Sequence, residues 1–253
     1  MDALRDRQII NNAIYDHLNE KWYAAHDHPI AVLRAESREK LNWALPLLLE
    51  KNSRTVLDVG CGAGFVANFL AQKNFQLTGL DFSQPSLDIA KKMDLTHSVR
   101  YIQGDAYHLP FAENSFDAVI VFDFLEHVSE PQLVIAEIAR VLKPGGQMLF
   151  HTFGRNFLSW MIAIKGMEWF VKSTPHDLHV ISLFIKPKEI ESYCQQAGMK
   201  VTGFIGIRPI LNRAFFKLLY SGVVPENLVF RQTPMKLLSY CGQAIKETSP
   251  SRN

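Results

Sequence analysis

An acid and three glycines between residues 58 and 64 have the types and spacing needed to hold a nucleoside-bearing ligand. The segment reads Asp58-Val-Gly-Cys-Gly-Ala-Gly64. A short β-branched and aliphatic run at 54–57 predicts a buried parallel strand before it, and residues 66–73 repeat their apolar positions at helical spacing after it. Because glycine has no Cβ, the backbone between strand and helix can approach a ligand closely. A dinucleotide fingerprint would need its third glycine at position 65, where Phe65 stands.

Further acids end two of the strands that the sequence predicts next. Residues 76–81 predict a strand that ends in Asp81, 23 residues after Asp58, and residues 100–105 predict one that closes on Asp105. A fourth strand is predicted at 115–122 and a fifth at 147–152, after a turn at 142–146. Ligands of open α/β sheets bind beyond the carboxyl ends of the strands, so these acids should lie in one site. An acid such as Asp81 can accept hydrogen bonds from both ribose hydroxyls.

The order of these elements, with the pattern D-x-G-x-G-x-G, resembles motif I and the core of the S-adenosylmethionine (SAM) dependent methyltransferases. The resemblance implies an α/β, Rossmann-like class I methyltransferase sheet with helices on both faces. By this resemblance the cationic amino-acid tail of SAM would lie near the loop, and its adenine amino group would lie near Asp105 or the adjacent backbone. SAM would leave as S-adenosylhomocysteine (SAH). The cofactor-binding residues expected on this basis are Asp58, Gly60, Cys61, Gly62, Gly64, Asp81, Phe82, Asp105, Ala106 and Phe122.

Asp123, Glu126 and His127 follow the predicted fourth strand directly. If the segment turns helically, its three polar side chains lie together. Two carboxylates and an imidazole could bind a hard metal ion or act as acid and base. Alternatively, Asp123 caps a helix while His127 packs against the substrate. The residues alone leave both interpretations open.

Composition and charge limit the classes of protein. A chain of 253 residues with 47% hydrophobic content can bury the core of one domain. Three cysteines are too few for a disulfide framework and favour a reducing cytoplasm, and the charged start lacks the apolar core of a signal peptide. The net charge is +2, but residues 1–150 carry −5 and residues 151–253 carry +7. The basic second half indicates lipid headgroups or nucleic acid as a partner, unless it is an ordinary solvated face.

We expect a single methyltransferase domain over 1–253, divided into a helical cap (1–45), a cofactor-binding core (46–153), a lid or membrane-contacting insertion (154–182) and the C-terminal part of the sheet (183–253). The cap should contain a helix at 36–46 that ends near Pro46. An earlier amphipathic face is marked by Ile9, Ile10, Ala13, Ile14 and Leu18. After the insertion, the sequence predicts a helix at 184–198 and the last two strands at 201–210 and 236–245.

Residues 157–171 of the insertion form an amphipathic stretch that is too short to span a bilayer. Lys165 and Glu168 interrupt it, and Arg155 and Lys172 flank it, as is typical of an interfacial helix. A buried lid helix fits the pattern equally well. The expected apolar face consists of Phe157, Trp160, Met161, Ile164, Met167 and Val171.

Segments outside the generic fold resemble the ubiquinone-biosynthesis O-methyltransferases, which methylate polyprenyl catechols. The resemblance extends over nearly the whole chain and includes regions beyond the cofactor motifs. The segments that carry it are Lys21-Trp22-Tyr23, Leu125-Glu126-His127-Val128, Arg155-Asn156, Ser159-Trp160, Thr174-Pro-His-Asp-Leu-His179 and Phe184-Ile-Lys-Pro187. By this resemblance the last strand of the sheet should be antiparallel.

This second resemblance implies roles for individual residues. The acid-x-x-Glu-His cluster is similar to a divalent-metal site, so Asp123, Glu126 and His127 would bind Mg²⁺, although the family usually has Glu at the first position. The catalytic residues implied are His127, Glu126 and His179, with His179 able to take the phenolic proton or else to serve as a packing histidine. Arg38 roughly matches an arginine near the SAM carboxylate, with the local register off by one residue; a structural role in its helix is an alternative.

The sequence therefore predicts a SAM-dependent O-methyltransferase that acts on a phenolic or catechol polyprenyl intermediate of ubiquinone biosynthesis. It would work in the cytoplasm, peripherally on the inner face of an anionic membrane, with members of a quinone-biosynthesis complex as further partners. A methyltransferase of another small molecule or lipid is the alternative, and a non-catalytic SAM-fold subunit is the rival from another class. Nucleic-acid methylation is not expected, because no Asn/Asp-Pro-Pro-aromatic segment follows the fourth strand.

Overall fold

The computed structural model describes residues 14–175 and 178–248. Ile9, Ile10 and Ala13 of the predicted cap face, and His176 of the family-like segment, lie outside these residues. The described part forms an eight-stranded sheet flanked by helices, which confirms the predicted Rossmann-like α/β fold.

Eight strands form the sheet. They are β1 (Thr55–Val59), β2 (Gln76–Asp81), β3 (Arg100–Gln103), β4 (Phe116–Phe122), β5 (Leu142–Phe153), β6 (Met199–Pro209), β7 (Phe230–Thr233) and β8 (Ser239–Lys246). Their order across the sheet is β3-β2-β1-β4-β5-β8-β6-β7. The first five strands run parallel, whereas β8 lies antiparallel between β5 and β6. The antiparallel last strand implied by the resemblance is thus present.

Helices cover both faces of the sheet. They are α1 (Lys21–Ala24), α2 (Pro29–Glu50), α3 (Phe65–Ala71), α4 (Gln84–Met93), α5 (Pro131–Val141), α6 (Phe157–Ser159), α7 (Met167–Phe170), α8 (Pro187–Gln196) and α9 (Arg213–Ser221). Apolar side chains of α2 and α3 form the core on one face, and those of α5 and α8 form the core on the other. Burial on both faces explains why β1 and β4 read as continuous apolar runs in the sequence.

The strand predictions for the cofactor core agree well with the structure. β2 has the predicted bounds, and β1, β3 and β4 differ from their predicted bounds by one or two residues at an end. The predicted turn at 142–146 needs correction, because β5 already begins at Leu142. Its register against β4 shifts between Phe116 and Ala118, and Gly145 has a φ of +76° in the irregular stretch.

The helix predicted at 36–46 is wrong at both ends. α2 begins at Pro29, where proline suits the first turn, and continues through Pro46 to Glu50. A proline inside a helix removes one hydrogen bond and normally costs about 3 kcal/mol. Leu41, Ala44 and Leu48 are nevertheless buried against the sheet, so packing on both sides of Pro46 outweighs that cost.

The insertion is not one regular α-helix. A π-helical stretch, Trp160–Gly166, separates α6 from α7, and its wider turn shifts the apolar face away from the 3.6-residue period. Two residues of the predicted apolar face are therefore buried: Ile164 packs in a cluster with Phe184, and Val171 packs in one with Leu218. Among the described residues, no helix is both long and apolar enough to cross a membrane.

The sequence prediction missed the segment between the last two strands. Residues 211–237 contain α9 and the edge strand β7, which pairs antiparallel with β6. α9 packs against the insertion: Leu218 and Val224 share a buried cluster with Val171. This segment therefore forms a second wall beside the insertion.

Candidate active site

A cavity of about 870 Å³ opens at the carboxyl ends of the parallel strands. The glycine loop and Asp81 line one end of it, and side chains of the insertion and α9 line the other. α2 forms the wall between them through Leu33, Glu36 and Ser37. The cavity thus lies where α/β sheets generally bind ligands.

The glycine loop forms the floor at one end of the cavity. Gly60, Cys61 and Gly62 line the cavity, whereas Gly64 does not line it and caps the amino-terminal end of α3. Gly60 has a φ of +70°, and a Cβ there would lie 2.3 Å from Cδ2 of Phe124. Any larger residue at position 60 would therefore displace the loop. Burial raises the pKa of the Cys61 thiol, which makes it a poor nucleophile.

Asp58 and Asp81 both line this end of the cavity, but they differ in their hydrogen bonds. Asp58 is buried, and its Oδ2 has no hydrogen-bond partner among the described residues. Burial, followed by the nearby Asp81, raises the pKa of Asp58 to about 8. Asp81 accepts hydrogen bonds from the backbone N–H of Gly62 (2.8 Å) and of Ser83 (2.9 Å). Asp58 fits a cationic group of a ligand, and the fixed carboxylate of Asp81 can accept hydroxyl hydrogens.

Four other predicted cofactor residues divide into two pairs. Phe82, which is exposed, and Phe122, which ends β4, both line the cavity. Asp105 and Ala106 do not line it. Asp105 accepts a hydrogen bond from the backbone of Tyr107 (2.9 Å). Contact of Asp105 or Ala106 with the cofactor therefore stays a prediction.

Arg38 does not point into the site, so its predicted place near the cofactor is corrected. Its side chain is exposed and donates a hydrogen bond to the backbone carbonyl of Glu226 (3.3 Å). The inward face of α2 carries residues 33, 36, 37 and 40, at the spacing of successive helical turns. The cation that this helix brings to the site is Lys40, which is fully buried.

Lys40 lies in a cluster of four ionisable side chains. Its Nζ donates to Oδ2 of Asp123 and lies 3.2 Å from Oε2 of Glu36. On the other side of the same acids, Nδ1 of His151 lies 2.7 Å from Oδ1 of Asp123, and Nε2 lies 3.5 Å from Oε1 of Glu36. The two cations and two anions form a closed, electrically balanced group.

The pKa values in this cluster follow from mutual pairing. Although burial opposes ionisation, Lys40 and His151 hold the pKa of Asp123 well below its usual range. The same two cations overcome burial at Glu36 and lower its pKa. Burial and Lys40 oppose a charge on His151, but Asp123 and Glu36 outweigh them and raise its pKa to about 9. All four groups are therefore charged at neutral pH.

The predicted Mg²⁺ ligand set does not fit this geometry. Among the described acids, histidines and cysteines, the group whose ligand atoms all lie within 4.8 Å of one another is Glu36, Asp123 and His151. The ammonium of Lys40 contacts both carboxylates of that group, so a cation is already present there. Glu126, instead of joining Asp123, accepts a hydrogen bond from Oγ1 of Thr152 (2.8 Å).

Of the three residues predicted to be catalytic, His127 and His179 line the cavity, and Glu126 does not. The ring centroids of His127 and His179 lie 5.4 Å apart. Burial lowers the pKa of His127 to about 4, and burial followed by His127 lowers that of His179 to about 3. Burial and Asp123 raise the pKa of Glu126 to about 7. Nδ1 of His127 and Oε1 of Glu126 are buried without a hydrogen-bond partner among the described residues.

Sequence reasoning missed Lys40, Glu36 and His151. Glu36 and Lys40 stand four residues apart on a predicted helix, a spacing that signals a pair but usually a solvated one. His151 lies in the predicted fifth strand, whose apolar pattern gave no sign of a charged partner. The part of the cavity wall that α9 forms contains no recognisable sequence motif.

The chain matches known methyltransferases. The model of the methyltransferase domain family matches residues 57–150. The ubiquinone biosynthesis O-methyltransferase of Klebsiella pneumoniae (strain 342) is 37% identical over 170 residues, covering 65% of this chain and 69% of that protein. The enzyme of the same name from Aromatoleum aromaticum is 34% identical over 161 residues, covering 61% and 67%.

Solved structures share the fold at low sequence identity. A SAM-dependent methyltransferase of Thermotoga maritima, described as a possible histamine N-methyltransferase, has a TM-score of 0.62 at 20% identity and covers 93% of this chain and 99% of its own. The magnesium protoporphyrin IX methyltransferase of Synechocystis PCC 6803, with SAH bound, has a TM-score of 0.58 at 16% identity, with 84% of each chain covered.

Replacing Lys40 should destabilise the protein strongly. Lys40→Met leaves Asp123 and Glu36 buried without their ammonium partner, and removing one member of a buried pair costs about 3–5 kcal/mol. Arg38→Met, on the exposed face of the same helix, should change the free energy of unfolding by less than about 0.5 kcal/mol. Urea denaturation measures both. Equal, small effects of the two variants would contradict the structural role given to Lys40.

Replacing Asp81 should weaken SAM binding. Asp81→Ala leaves the ribose hydroxyls without their acceptor, which should cost about 1–3 kcal/mol of binding free energy in calorimetry. Asp105→Ala provides a matched comparison, because Asp105 follows the neighbouring strand β3 but lies outside the cavity lining. Unchanged affinity in Asp81→Ala would remove Asp81 from the site, and weakened affinity in Asp105→Ala would extend the cofactor to the third strand.

Proposed function

The chain belongs to the ubiquinone biosynthesis O-methyltransferase family, and from this membership we propose that it methylates a phenolic or catechol oxygen of a prenylated ring. The protein is a SAM-dependent O-methyltransferase. The prediction of an enzyme is thereby confirmed. A methyltransferase of another small molecule or lipid remains the alternative for the acceptor.

The observation that supports the proposal is that the two ends of the cavity differ in polarity. One end has the fixed acids Asp58 and Asp81, whereas the other is mostly apolar, with Arg208 and Thr233 as polar members of its lining. The apolar end is lined by Leu158, Ile162, Ala163, Phe215, Leu219 and Phe230. A polar aromatic head near the cofactor and a long hydrocarbon tail would use both ends at once, since burial of apolar area provides most of the binding energy of such a tail.

SAM would bind at the acidic end. The unpartnered Oδ2 of Asp58 would receive the cationic amino-acid tail, and the cation would favour the ionised form of a carboxyl whose pKa is otherwise raised. The ribose hydroxyls would donate to Asp81, whose orientation is fixed by the backbone of Gly62 and Ser83. Both contacts are expected to hold the methyl group toward the middle of the cavity.

Methyl transfer requires the removal of one proton from the acceptor. SAM, when bound, would supply its methyl carbon to the phenolic oxygen; the carbon–sulfur bond would break with its electron pair left on sulfur, and SAH would be the product. Burial keeps His127 and His179 neutral at pH 7, so a ring nitrogen of either can accept the phenolic proton. Glu126, with a pKa of about 7 and an unpartnered Oε1, can receive a proton close by. Holding the two reactants in line contributes the remaining acceleration.

Magnesium has no step in this proposal. The carboxylate of Asp123 is occupied by Lys40 and His151, and Glu126 and His127 alone would leave an ion with two protein ligands. The fixed positive charge of Lys40 and His151 lies beside the cavity instead. Dependence on a divalent ion, implied by the resemblance, is therefore a matter for direct measurement.

We propose further that the insertion docks on an anionic membrane, where a prenylated acceptor resides. Its exposed apolar side chains support this: Phe157 is 72% exposed and Trp169 is 66% exposed. Ala163 and Ile164 of the insertion pack inward, and both Ala163 and the exposed Trp169 line the cavity, so the lid role and the membrane role are compatible. Residues 151–253 carry the positive charge that an anionic leaflet attracts.

The purified enzyme should methylate a short-chain prenylated catechol with SAM. Its kcat/KM for that acceptor should exceed the value for unsubstituted catechol by at least roughly tenfold, because each buried CH₂ contributes about 0.8 kcal/mol. Product analysis by mass spectrometry identifies the methylated oxygen. Equal kcat/KM for the two acceptors would favour the alternative, a small-molecule methyltransferase without a tail-binding site.

The same assay in excess EDTA tests the role of metal. On the present geometry turnover should persist, since Lys40 already neutralises Asp123. Loss of turnover that added Mg²⁺ restores would instead return Asp123, Glu126 and His127 to the predicted ligand set.

Membrane docking by the insertion should be visible in co-sedimentation with vesicles. Wild-type protein should bind vesicles that contain anionic lipid, and added salt should weaken binding. Phe157→Glu with Trp169→Glu should reduce binding at least roughly tenfold, because charges replace side chains that enter the headgroup region. Failure of the wild-type protein to bind at low salt would remove the membrane from the proposal and leave the methyl transfer intact.

A further inference from the structure

The exposed apolar side chains concentrate in two segments of the described chain. Of sixteen large apolar residues that are exposed, five lie in the insertion at 157–170 and six lie in 211–237. The second segment holds no cofactor motif and belongs to the part that the sequence prediction missed. Its six residues are Leu211, Phe216, Tyr220, Val229, Met235 and Leu237.

α9 presents one exposed face that combines aromatic rings with positive charge. Arg213, Phe216, Lys217 and Tyr220 are spaced three or four residues apart, and all four are exposed. Tyr220 is 95% exposed, the highest value among these apolar residues. The opposite face of the helix, with Leu218, is buried. The helix is therefore amphipathic, with its aromatic and basic side turned to the outside.

The segment is fastened to both ends of the insertion. At the start of the insertion, Nδ2 of Asn156 donates to the carbonyl of Leu237 (2.8 Å). At its end, the backbone N–H of Lys172 donates to the carbonyl of Gly222 (3.3 Å). Two separate stretches of chain thus form one continuous apolar rim.

Residues of that rim also line the cavity. Met161 and Trp169 of the insertion line the cavity from one side, and Leu211 and Leu219 line it from the other. The charge of the second segment is also one-sided: residues 208–237 contain five Lys or Arg and a single acid, Glu226. Aromatic rings beside basic side chains at an apolar opening suit the boundary between lipid headgroups and acyl chains.

We propose that α9 and its flanks, residues 210–237, are a second membrane-docking element, which binds anionic lipid jointly with the insertion. The inference rests on the proposed docking of the insertion and extends it to a surface with no assigned role. With both walls in the headgroup region, the mouth of the cavity opens directly to the bilayer. An acceptor can then place its head at SAM while its tail stays in an apolar environment throughout.

Vesicle binding of α9 variants tests this proposal. The variant Phe216→Glu with Tyr220→Glu changes two exposed residues that do not line the cavity. Leu49→Glu with Leu95→Glu is the matched control, because these residues are 59% and 80% exposed near the opposite, amino-terminal edge of the parallel strands. Binding is measured with phosphatidylcholine vesicles, with and without 30% phosphatidylglycerol, at low and high salt.

We expect the α9 variant to bind anionic vesicles at least tenfold more weakly, and the control variant to bind like the wild-type protein. Arg213→Gln with Lys217→Gln should bind more weakly as well and should show a shallower dependence on salt. These three variants, none of which changes a residue that lines the cavity, should methylate a short-chain, water-soluble catechol in the absence of vesicles within twofold of the wild-type rate, which verifies the fold. In a Phe157→Glu, Trp169→Glu background, Tyr220→Trp should add emission that brominated lipid quenches, beyond the quenching of the same background without the added tryptophan.

Three outcomes would overturn the inference. If the α9 variant binds like the wild-type protein while Phe157→Glu with Trp169→Glu does not bind, the insertion docks alone and the proposed function stands. If the wild-type protein binds neither kind of vesicle, the proposed membrane docking fails together with this extension of it. If the α9 variant changes the oligomeric state and leaves vesicle binding unchanged, the surface joins two copies of the chain.

Discussion

The buried ammonium of Lys40 is the interaction on which the geometry of the site depends. It joins α2 to the end of β4 through Asp123, and His151 of β5 closes the other side of the same acids. Ser239 of β8 extends the group by donating to Oε1 of Glu36 (3.2 Å). Because an unpaired charge in this interior would cost several kcal/mol, α2 has one favourable position along the sheet. That position makes its inward face a wall of the cavity.

The same cluster determines which polar groups remain free for ligands. Asp123 has a φ of +53°, a conformation that costs about 1–3 kcal/mol and persists where surrounding contacts hold it. Here both of its carboxylate oxygens are bound, and the chain then turns into the short helix Leu125–His127 beside the cavity. Within the cluster every charge lies beside an opposite one, although Nε2 of His151 makes no hydrogen bond, whereas Asp58, Glu126 and His127 lie outside it and each keep an atom without a partner among the described residues. Structural and chemical roles are therefore divided between neighbouring acids.

Whether a feature could be predicted from the sequence depended on how far apart its interacting residues lie in the chain. The glycine loop, β2 and Asp81 could be predicted because the strand pattern and the loop are encoded within a few residues of one another. Arg38 and Lys40 could not be told apart, since their roles depend on the rotation of α2, and that rotation is set by contacts more than eighty residues away in Asp123. The apolar face of the insertion was predicted from a fixed helical period, and a π-helical stretch shifts that face. The role of α9 depends on its packing against the insertion, which its own sequence does not show.

The proposed cofactor and acceptor ends of the cavity consequently differ in how far apart in the sequence their lining residues lie. The cofactor end lies on the strand ends, where short motifs and the parallel sheet fix the backbone. The proposed acceptor end lies between the insertion and residues 211–237, which are distant in sequence and meet only in the folded chain. Changes in these two walls can alter the acceptor without moving Asp58 or Asp81. Family membership therefore supports the type of reaction, while on the proposed placement of the acceptor the walls of the apolar end of the cavity would select which oxygen reaches the methyl group.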